Sequence, residues 1–118
     1  MTSSPSKRKG TRFETAVVRY LQSAGMRAAR RNAASPQDIG DIGGVDGWAI
    51  QCKDQKTWRI NTWIEETAQQ AERGGAENYV LICKRSGASI GEALCVLPMR
   101  MLVQLMQSQS SDPKGRSA

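Results

Sequence analysis

The sequence predicts a single α/β domain in which a mixed central β-sheet is flanked by helices. Its 118 residues are 39% hydrophobic and 24% charged, an ordinary composition for a globular chain with one core. Apolar residues follow helical spacing in three segments and strand-like runs in five. The resulting order is helix, three strands, helix, two strands, helix, which is typical of a layered α/β architecture.

The first helix and the first two strands occupy the N-terminal third of the chain. Residues 11–14 (Thr-Arg-Phe-Glu) form a capping box that predicts the helix start, and Gly25 predicts its end. Residues 26–32 form an arginine-rich strand candidate, and Ser35-Pro36 predicts a turn. Residues 39–42 are a second short strand candidate.

The third strand, residues 48–53, is the most informative segment. Gly43-Gly44 ends the preceding strand, and Asp46-Gly47 suits a tight hairpin turn. Successive side chains alternate between the two faces of a strand. One face, expected to join the core, carries Trp48, Ile50 and Cys52. The other face, which bears polar groups, carries Ala49, Gln51 and Lys53.

The second half repeats the same kinds of signal. Residues 62–65 form a second capping box, and the helix that they start runs to Arg73, where Gly74-Gly75 ends it. The remaining elements are strands at residues 79–83 and 93–97 and a helix that begins with Pro98 at its first position and runs to residue 106.

The domain is expected to span residues 9–106. Residues 1–8 are expected to form a disordered basic tail and residues 107–118 a disordered polar tail. The longest apolar run is residues 79–83, far short of the roughly 18 to 20 residues that a membrane helix needs. No apolar stretch follows the basic N-terminus, so we expect no signal peptide and a cytoplasmic protein.

The residue inventory excludes several kinds of chemistry. There is no histidine, which excludes Ser-His-Asp and Cys-His catalysis, histidine zinc sites and histidine general bases. Cys52, Cys83 and Cys95 are far apart and form no Cys-x-x-Cys pair, so we expect buried reduced thiols. Nothing in the sequence points to a small-molecule cofactor.

The positive charge is concentrated near the N-terminus. Residues 1–31 carry eight basic residues and one acidic residue, a net charge of +7, whereas residues 32–118 carry nine basic and ten acidic residues. A neutral body with a basic N-terminal third is typical of a nucleic-acid-binding protein. The candidate DNA contacts in this region are Lys7, Arg8, Lys9, Arg12, Arg30 and Arg31.

Four residues suggest a site for metal-assisted phosphodiester cleavage. Asp41 ends a short strand, Gln51 and Lys53 share a face of the next strand, and Glu14 lies in the first helix. Oxygen ligands hold a hard cation such as Mg²⁺, and a lysine can offset the charge of the transition state. The alternative roles are a turn residue for Asp41, a solvated strand end for Lys53 and the capping box for Glu14.

The same segments resemble a known superfamily. Residues 40–44 (Gly-Asp-Ile-Gly-Gly) and 48–56 (Trp-Ala-Ile-Gln-Cys-Lys-Asp-Gln-Lys) resemble the active-site hairpin of the PD-(D/E)xK nucleases. More narrowly, they resemble small phage-type Holliday-junction resolvases, and residues 9–14 resemble the first helix of that family. The resemblance implies a restriction-endonuclease-like fold with an αβββαβ core.

By position, the resemblance also implies a role for each site residue. Asp41 would bridge to the metal ion, Mg²⁺ or Mn²⁺, with the main-chain carbonyl of Cys52 as a further ligand. Glu14 would bind a metal directly or through water, and Lys53 would be the catalytic lysine. Gln55 or Lys56 would contact the scissile phosphate. Asp38 competes for the role of Asp41, but the Gly-Asp-Ile-Gly-Gly context favours Asp41.

Gln51 departs from the family pattern, which has glutamate at this position. An amide oxygen can coordinate a cation but brings no charge, so we expect lower metal affinity. Gln51 is either a natural variant of the site or a substitution that stops cleavage while preserving shape.

The leading hypothesis is a metal-dependent endonuclease that cleaves four-way DNA junctions as a twofold homodimer, in the bacterial host cytoplasm if phage-encoded. The dimer is expected because a junction offers two equivalent strands to cut. Trp58 and Trp63 are candidates for its interface. The alternatives are a nuclease of the same fold with a restriction or repair substrate, and a non-catalytic DNA-binding module.

Overall fold

The fold was analysed in a computed structural model, which describes residues 4–31 and 37–110 apart from the side chain of Ser110. The elements are α1 (Pro5–Ser23), β1 (Ala29–Arg30), β2 (Ile42–Gly43), β3 (Trp48–Lys53), α2 (Ile60–Gly74), β4 (Asn78–Cys83), a 3₁₀ turn (Ile90–Glu92), β5 (Leu94–Val96) and α3 (Met99–Ser110). The predicted order of helices and strands is confirmed.

The five strands form one mixed sheet in the order β1-β2-β3-β4-β5. β3 and β4 pair in parallel, with Gln51 opposite Leu81, and the other neighbouring pairs are antiparallel. Parallel neighbours need a crossover connection, and α2 provides it between β3 and β4. The predicted α/β class with a mixed central sheet is confirmed.

Helices cover both faces of β3. On one face, α1 contributes Phe13 and Val17 to a core with Ile50 and Cys52. On the other, α2 contributes Trp63, which is buried against Leu81 and Cys83 of β4. The face that carries Gln51 and Lys53 therefore lies under α2. The prediction of Trp63 in a dimer interface is wrong, because this core buries its ring, and Trp58 packs against the same cluster.

Helices α1 and α3 extend into both predicted tails. Ser4 caps α1 by accepting a hydrogen bond from the Lys7 amide at 3.1 Å, and Pro5 occupies the first turn. The predicted start at Thr11 is therefore wrong, and residues 5–8 are helical rather than disordered. α3 continues through residues 107–110, whereas residues 1–3 and 111–118 lie outside the described residues.

The strands that precede β3 are shorter than predicted because glycines bracket β2. Gly40 and Gly44 have φ values of +116° and +87°. A Cβ atom on Gly44 would lie 1.9 Å from the Arg27 carbonyl oxygen, so the hairpin requires glycine there. β1 pairs with β2 through two residues on each strand. The predicted Ser35-Pro36 turn falls outside the described residues.

Two further predictions need correction. α2 begins at Ile60, without a side-chain cap at Arg59, so Thr62 does not start it, although Gly75 ends it in the left-handed conformation. Cys52 and Cys83 are buried free thiols as expected, but Cys95 is exposed. In the part of the chain that the structure describes, no helix is both long and apolar enough to cross a membrane.

Candidate active site

Asp41 is held at the start of the β2–β3 hairpin by three hydrogen bonds. Its amide donates to the Ile50 carbonyl at 2.7 Å, and its carbonyl accepts from the Arg31 amide at 2.9 Å. Its side-chain Oδ2 accepts from the Cys52 amide at 2.8 Å. The Asp41 carboxylate therefore accepts a β3 amide hydrogen bond that a neighbouring strand would otherwise accept. This bond fixes the position of the carboxylate beside Cys52.

An open cleft of about 510 Å³ gathers all four predicted catalytic residues. These residues are Glu14 from α1, Asp41 from the hairpin, and Gln51 and Lys53 from β3. Cys52, the predicted source of a carbonyl ligand, also lines the cleft. Among the predicted DNA-contacting residues, the cleft wall includes Lys9, Gln55 and Lys56.

Burial raises the pKa of Asp41 to about 6. The Cys52 amide partly offsets this effect, while the negative charge of Glu14 adds to it. Burial, reinforced by the charge of Asp41, also raises the pKa of the Cys52 thiol. Burial thus makes the ionised form of Asp41 costly, and a cation bound beside this carboxylate would offset that cost.

Glu14 already has a cationic partner. Arg30 Nε donates to Glu14 Oε1 at 3.0 Å, and both side chains are partly exposed. Arg30, predicted as a DNA contact, therefore lies at the edge of the site and neutralises Glu14, one of the three carboxylates that line the cleft. A cation that binds Glu14 directly has to compete with this ion pair.

Gln51 is buried, with 6% of its surface exposed, and it contacts α2. Its Oε1 accepts from Thr67 Oγ1 at 2.5 Å, and its Nε2 donates to Glu66 Oε1 at 3.4 Å. Lys53 Nζ lies 3.8 Å from the same Glu66 oxygen and 5.5 Å from the centre of the Trp63 ring. Helix α2 therefore positions both polar side chains of β3.

Basic residues continue beyond the cleft into a neighbouring groove of about 300 Å³. Lys9 and Asp54 line both cavities, and Asp54 pairs with Lys9 at 3.7 Å and Lys84 at 3.8 Å. The groove also carries Arg12 and Arg85. The cleft and the groove thus share one basic wall.

The other basic candidates lie elsewhere. Lys7 and Arg8 are exposed on the first turns of α1. Arg31 places its guanidinium against Gly43 and lines a separate cavity with Asp46 on the far side of the hairpin. The structure therefore does not bring Arg31 to the cleft.

Asp38 lies outside the cleft. Gln70 Nε2 donates to its Oδ1 at 2.9 Å, and Arg73 forms an ion pair with its Oδ2 at 3.6 Å and donates to its carbonyl oxygen. These contacts attach the segment before β2 to the C-terminal half of α2. Of the two competing aspartates, Asp41 is the one that lines the cleft.

No protein-family model and no curated protein matches the chain. A solved structure of Hjc, a Holliday junction resolvase from the archaeal hyperthermophile Archaeoglobus fulgidus, aligns with a TM-score of 0.55. The alignment covers 76% of each chain at 24% sequence identity. This chain has the resolvase fold. The predicted restriction-endonuclease-like fold is therefore confirmed, and at this identity the similarity establishes the fold alone.

The cleft contains few charged side chains that could act together as metal ligands. Within residues 4–31 and 37–110, no three His, Cys, Asp or Glu side chains form a metal-ligand group. Glu14 and Asp41 nevertheless line one cleft with the oxygen-bearing Gln51, and the pKa of Asp41 is raised by burial. These hard oxygen donors fit Mg²⁺ or Mn²⁺ better than a soft metal.

Sequence reasoning missed the residues that come from distant elements. Glu66 lies on α2, while Lys84 and Arg85 lie after β4. No local motif marks them, because their proximity to the cleft follows from the α2 crossover and the parallel pairing of β3 with β4. Asp54 lies within the recognised motif, residues 48–56, but its ion pairs become evident only from the structure.

Proposed function

We propose that the protein is a divalent-metal-dependent, structure-selective DNA endonuclease that cleaves four-way Holliday junctions. One observation carries the proposal: Glu14, Asp41, Gln51 and Lys53 line a single cleft with basic residues on its wall. The similarity to an archaeal Holliday junction resolvase supports a nuclease fold. That the substrate is a four-way junction, rather than another DNA structure, is part of the proposal and goes beyond the similarity in fold.

Each candidate catalytic residue has a chemical role in this proposal. Asp41 and Glu14 would hold the cation, with Gln51 or the Cys52 carbonyl as neutral oxygen ligands. When bound, the cation supplies polarisation of the phosphate and acidification of water. Lys53 orients the attacking water and offsets the negative charge that develops on the phosphoryl oxygens.

DNA would follow the basic wall that joins the cleft to the neighbouring groove. Lys9, Gln55 and Lys56 lie beside the candidate catalytic residues, and Lys84 and Arg85 extend the wall. Contacts to phosphates position DNA without reading its bases. We therefore expect recognition of junction shape with little dependence on arm sequence.

The first prediction is that the protein nicks a labelled four-way junction with Mg²⁺ or Mn²⁺ and leaves a linear duplex of equal length largely uncut. Lys53→Ala should abolish nicking and keep junction binding, because Lys53 acts in the reaction more than in docking. Chelation of the cation should also stop nicking. Gel analysis of the products and a parallel binding assay measure both effects.

The other outcomes identify the alternatives. Equal cleavage of junction and duplex would favour a nuclease of the same fold with a restriction or repair substrate. Junction binding without cleavage in either cation would favour the non-catalytic DNA-binding module. The hydrogen bond from Thr67 to Gln51 supports the hypothesis of a non-catalytic module, because it directs the Gln51 oxygen toward α2.

We further propose that the protein acts as a twofold homodimer through α3 and the edge strand β5. Six of the eight exposed large hydrophobic residues in the described part of the chain lie here: Leu94, Met99, Leu102, Val103, Leu105 and Met106. Met99, Leu102, Val103 and Met106 are spaced three and four residues apart, so they share one face of α3, and an exposed apolar face marks an interaction site.

A second copy suits this surface for two reasons. Arg100 is the one charged residue of α3, so two copies of the helix meet with little electrostatic repulsion. A twofold dimer also presents two clefts to the two equivalent strands of a junction.

The second prediction is that the parent chain sediments at twice 12.9 kDa and that Leu102→Glu makes it a monomer. A buried charge without a partner strongly destabilises an interface. Met26→Glu is the matched control, since Met26 is 45% exposed and Leu102 42%, but Met26 lies outside α3 and β5. A monomeric parent chain, or a Leu102→Glu dimer, would contradict the proposal.

A further inference from the structure

A further carboxylate, outside the cleft lining, stands beside the candidate active site. Glu66 Oε1 lies 3.4 Å from Gln51 Nε2 and 3.8 Å from Lys53 Nζ. Both of these partners line the cleft. The Glu66 side chain is 46% exposed, so it is accessible to solvent and to ions. None of the roles assigned so far uses it.

The rotation of α2 brings Glu66 to this position. Trp63, Glu66 and Thr67 are spaced three and four residues apart, so they share one face of the helix. The Trp63 ring contacts Lys53, and the Thr67 hydroxyl contacts Gln51. These contacts attach the face to β3 on either side of Glu66. The carboxylate is therefore held by packing as well as by its two polar contacts.

The contacts of Thr67 leave two orientations open to the Gln51 amide. Thr67 Oγ1 lies 2.5 Å from Gln51 Oε1 and 2.7 Å from the Trp63 carbonyl oxygen, but it has a single proton to donate. When Thr67 donates to Gln51, the amide nitrogen faces Glu66. When Thr67 donates to Trp63, the amide can turn by 180° and donate to Thr67 instead. The Gln51 amide oxygen then faces the Glu66 carboxylate. These two groups are both hydrogen-bond acceptors, so a cation between them stabilises the arrangement.

We propose that Glu66 supplies the carboxylate that position 51 lacks, and so serves as a ligand of the divalent cation together with Asp41. Because no three acidic side chains form a metal-ligand group within residues 4–31 and 37–110, the 46% exposed Glu66 side chain has to turn from Lys53 toward the cleft to do so. This inference rests on the proposed metal-dependent nuclease function. With Gln51 in β3, the cleft lining offers three carboxylates: Arg30 pairs with Glu14, Lys9 and Lys84 pair with Asp54, and the third is Asp41. A further carboxylate beside Asp41 strengthens the attraction for a hard dication. Lys53, which pairs with Glu66 in the absence of a cation, is then released toward the phosphate.

The test is a calorimetric titration of the folded full chain with Mn²⁺ in the absence of DNA. Glu66→Gln should weaken Mn²⁺ binding at least about tenfold, because it removes a charged ligand. Glu65→Gln is the matched control: it removes the same charge from the neighbouring, exposed position of α2 and should leave binding unchanged. The double variant Gln51→Glu/Glu66→Gln returns the carboxylate to β3 and should restore binding.

Each outcome decides the role of Glu66. Equal Mn²⁺ binding by Glu66→Gln and Glu65→Gln would overturn the inference and leave Glu66 as a positioning residue for Lys53, with the nuclease proposal intact. Absence of Mn²⁺ binding by the parent chain would overturn both proposals. Circular dichroism checks that Glu66→Gln is folded. If it is not, failure of the double variant to bind Mn²⁺ as the parent does would overturn the inference.

Discussion

Asp41→Asn should abolish junction cleavage and at the same time make the metal-free protein more stable at neutral pH. The loss of cleavage follows from the position of Asp41 in the cleft, where it is a charged oxygen ligand beside Cys52. Removing one electrostatic contact to a transition state costs about 10²- to 10³-fold, and loss of a metal ligand should cost at least as much. Asn can still accept the Cys52 amide hydrogen bond through its oxygen, so the hairpin should persist.

The gain in stability follows from the pKa of Asp41, which burial raises from 3.8 to about 6 in the folded chain. A raised pKa means that this group contributes stability that is complete below pH 3.8 and is lost as pH rises through 6. At pH 7.5 the buried charge therefore costs at most about 3 kcal/mol, which the neutral Asn avoids. The difference between the two chains should disappear near pH 3.5.

Thermal unfolding in EDTA from pH 3.5 to 8 measures this effect, and adding Mg²⁺ should reverse the order of stability at pH 7.5. Asp38→Asn is the matched control. It removes the same charge three residues away, where Asp38 contacts Gln70 and Arg73, and it should retain cleavage. An Asp41→Asn chain that cleaves junctions, or that is less stable than the parent in EDTA at pH 7.5, would show that this account of Asp41 is wrong.

Gln51→Glu should tighten Mg²⁺ binding and raise junction cleavage at least about tenfold, because each added carboxylate strengthens the attraction for a hard dication. The new carboxylate would stand about 3.4 Å from Glu66 Oε1, where the Gln51 amide stands now. Two like charges at that separation repel, so the variant should be less stable than the parent in EDTA. Mg²⁺ should therefore raise the melting temperature of Gln51→Glu more than that of the parent.

Gln69→Glu is the control for added charge, since Gln69 lies on the same helix as Glu66 but on its exposed face. It should change neither Mg²⁺ binding nor cleavage. Calorimetry, thermal unfolding and the nicking assay report the three effects separately. If Gln51→Glu binds junctions normally but cleaves in neither Mg²⁺ nor Mn²⁺, the nuclease assignment fails and the non-catalytic module becomes the better hypothesis.

The local sequence was enough to predict the order of the elements, the central strand and four candidate catalytic residues. Strand β3 has the predicted bounds, because alternating side chains and the Asp46-Gly47 turn are local signals. The glycines on either side of β2 also act locally, since positive φ values and a close backbone approach permit no side chain.

The helix ends were predicted less well, because several residues offered competing starts. Thr11 and Thr62 each begin a capping-box pattern, yet α1 starts at Pro5 behind the Ser4 cap, and α2 starts at Ile60. A capping motif stabilises the first turn of a helix only where the residues that precede the motif are not themselves helical. In α1 the preceding residues continue the helix and pack beside the cleft, where Ser6, Lys9 and Gly10 line the wall.

Only the tertiary structure decided which further side chains join the four predicted residues of the candidate site, and which of these groups are paired or buried. The α2 crossover brings Glu66 to Gln51 and Lys53, and the first strand brings Arg30 to Glu14. The structure also placed Asp41 in the cleft and tied Asp38 to α2, a choice that two similar Asp-Ile contexts left to weak local signals. The physical reason is that ion pairing and desolvation depend on distances and burial between segments far apart in sequence, which local patterns do not encode.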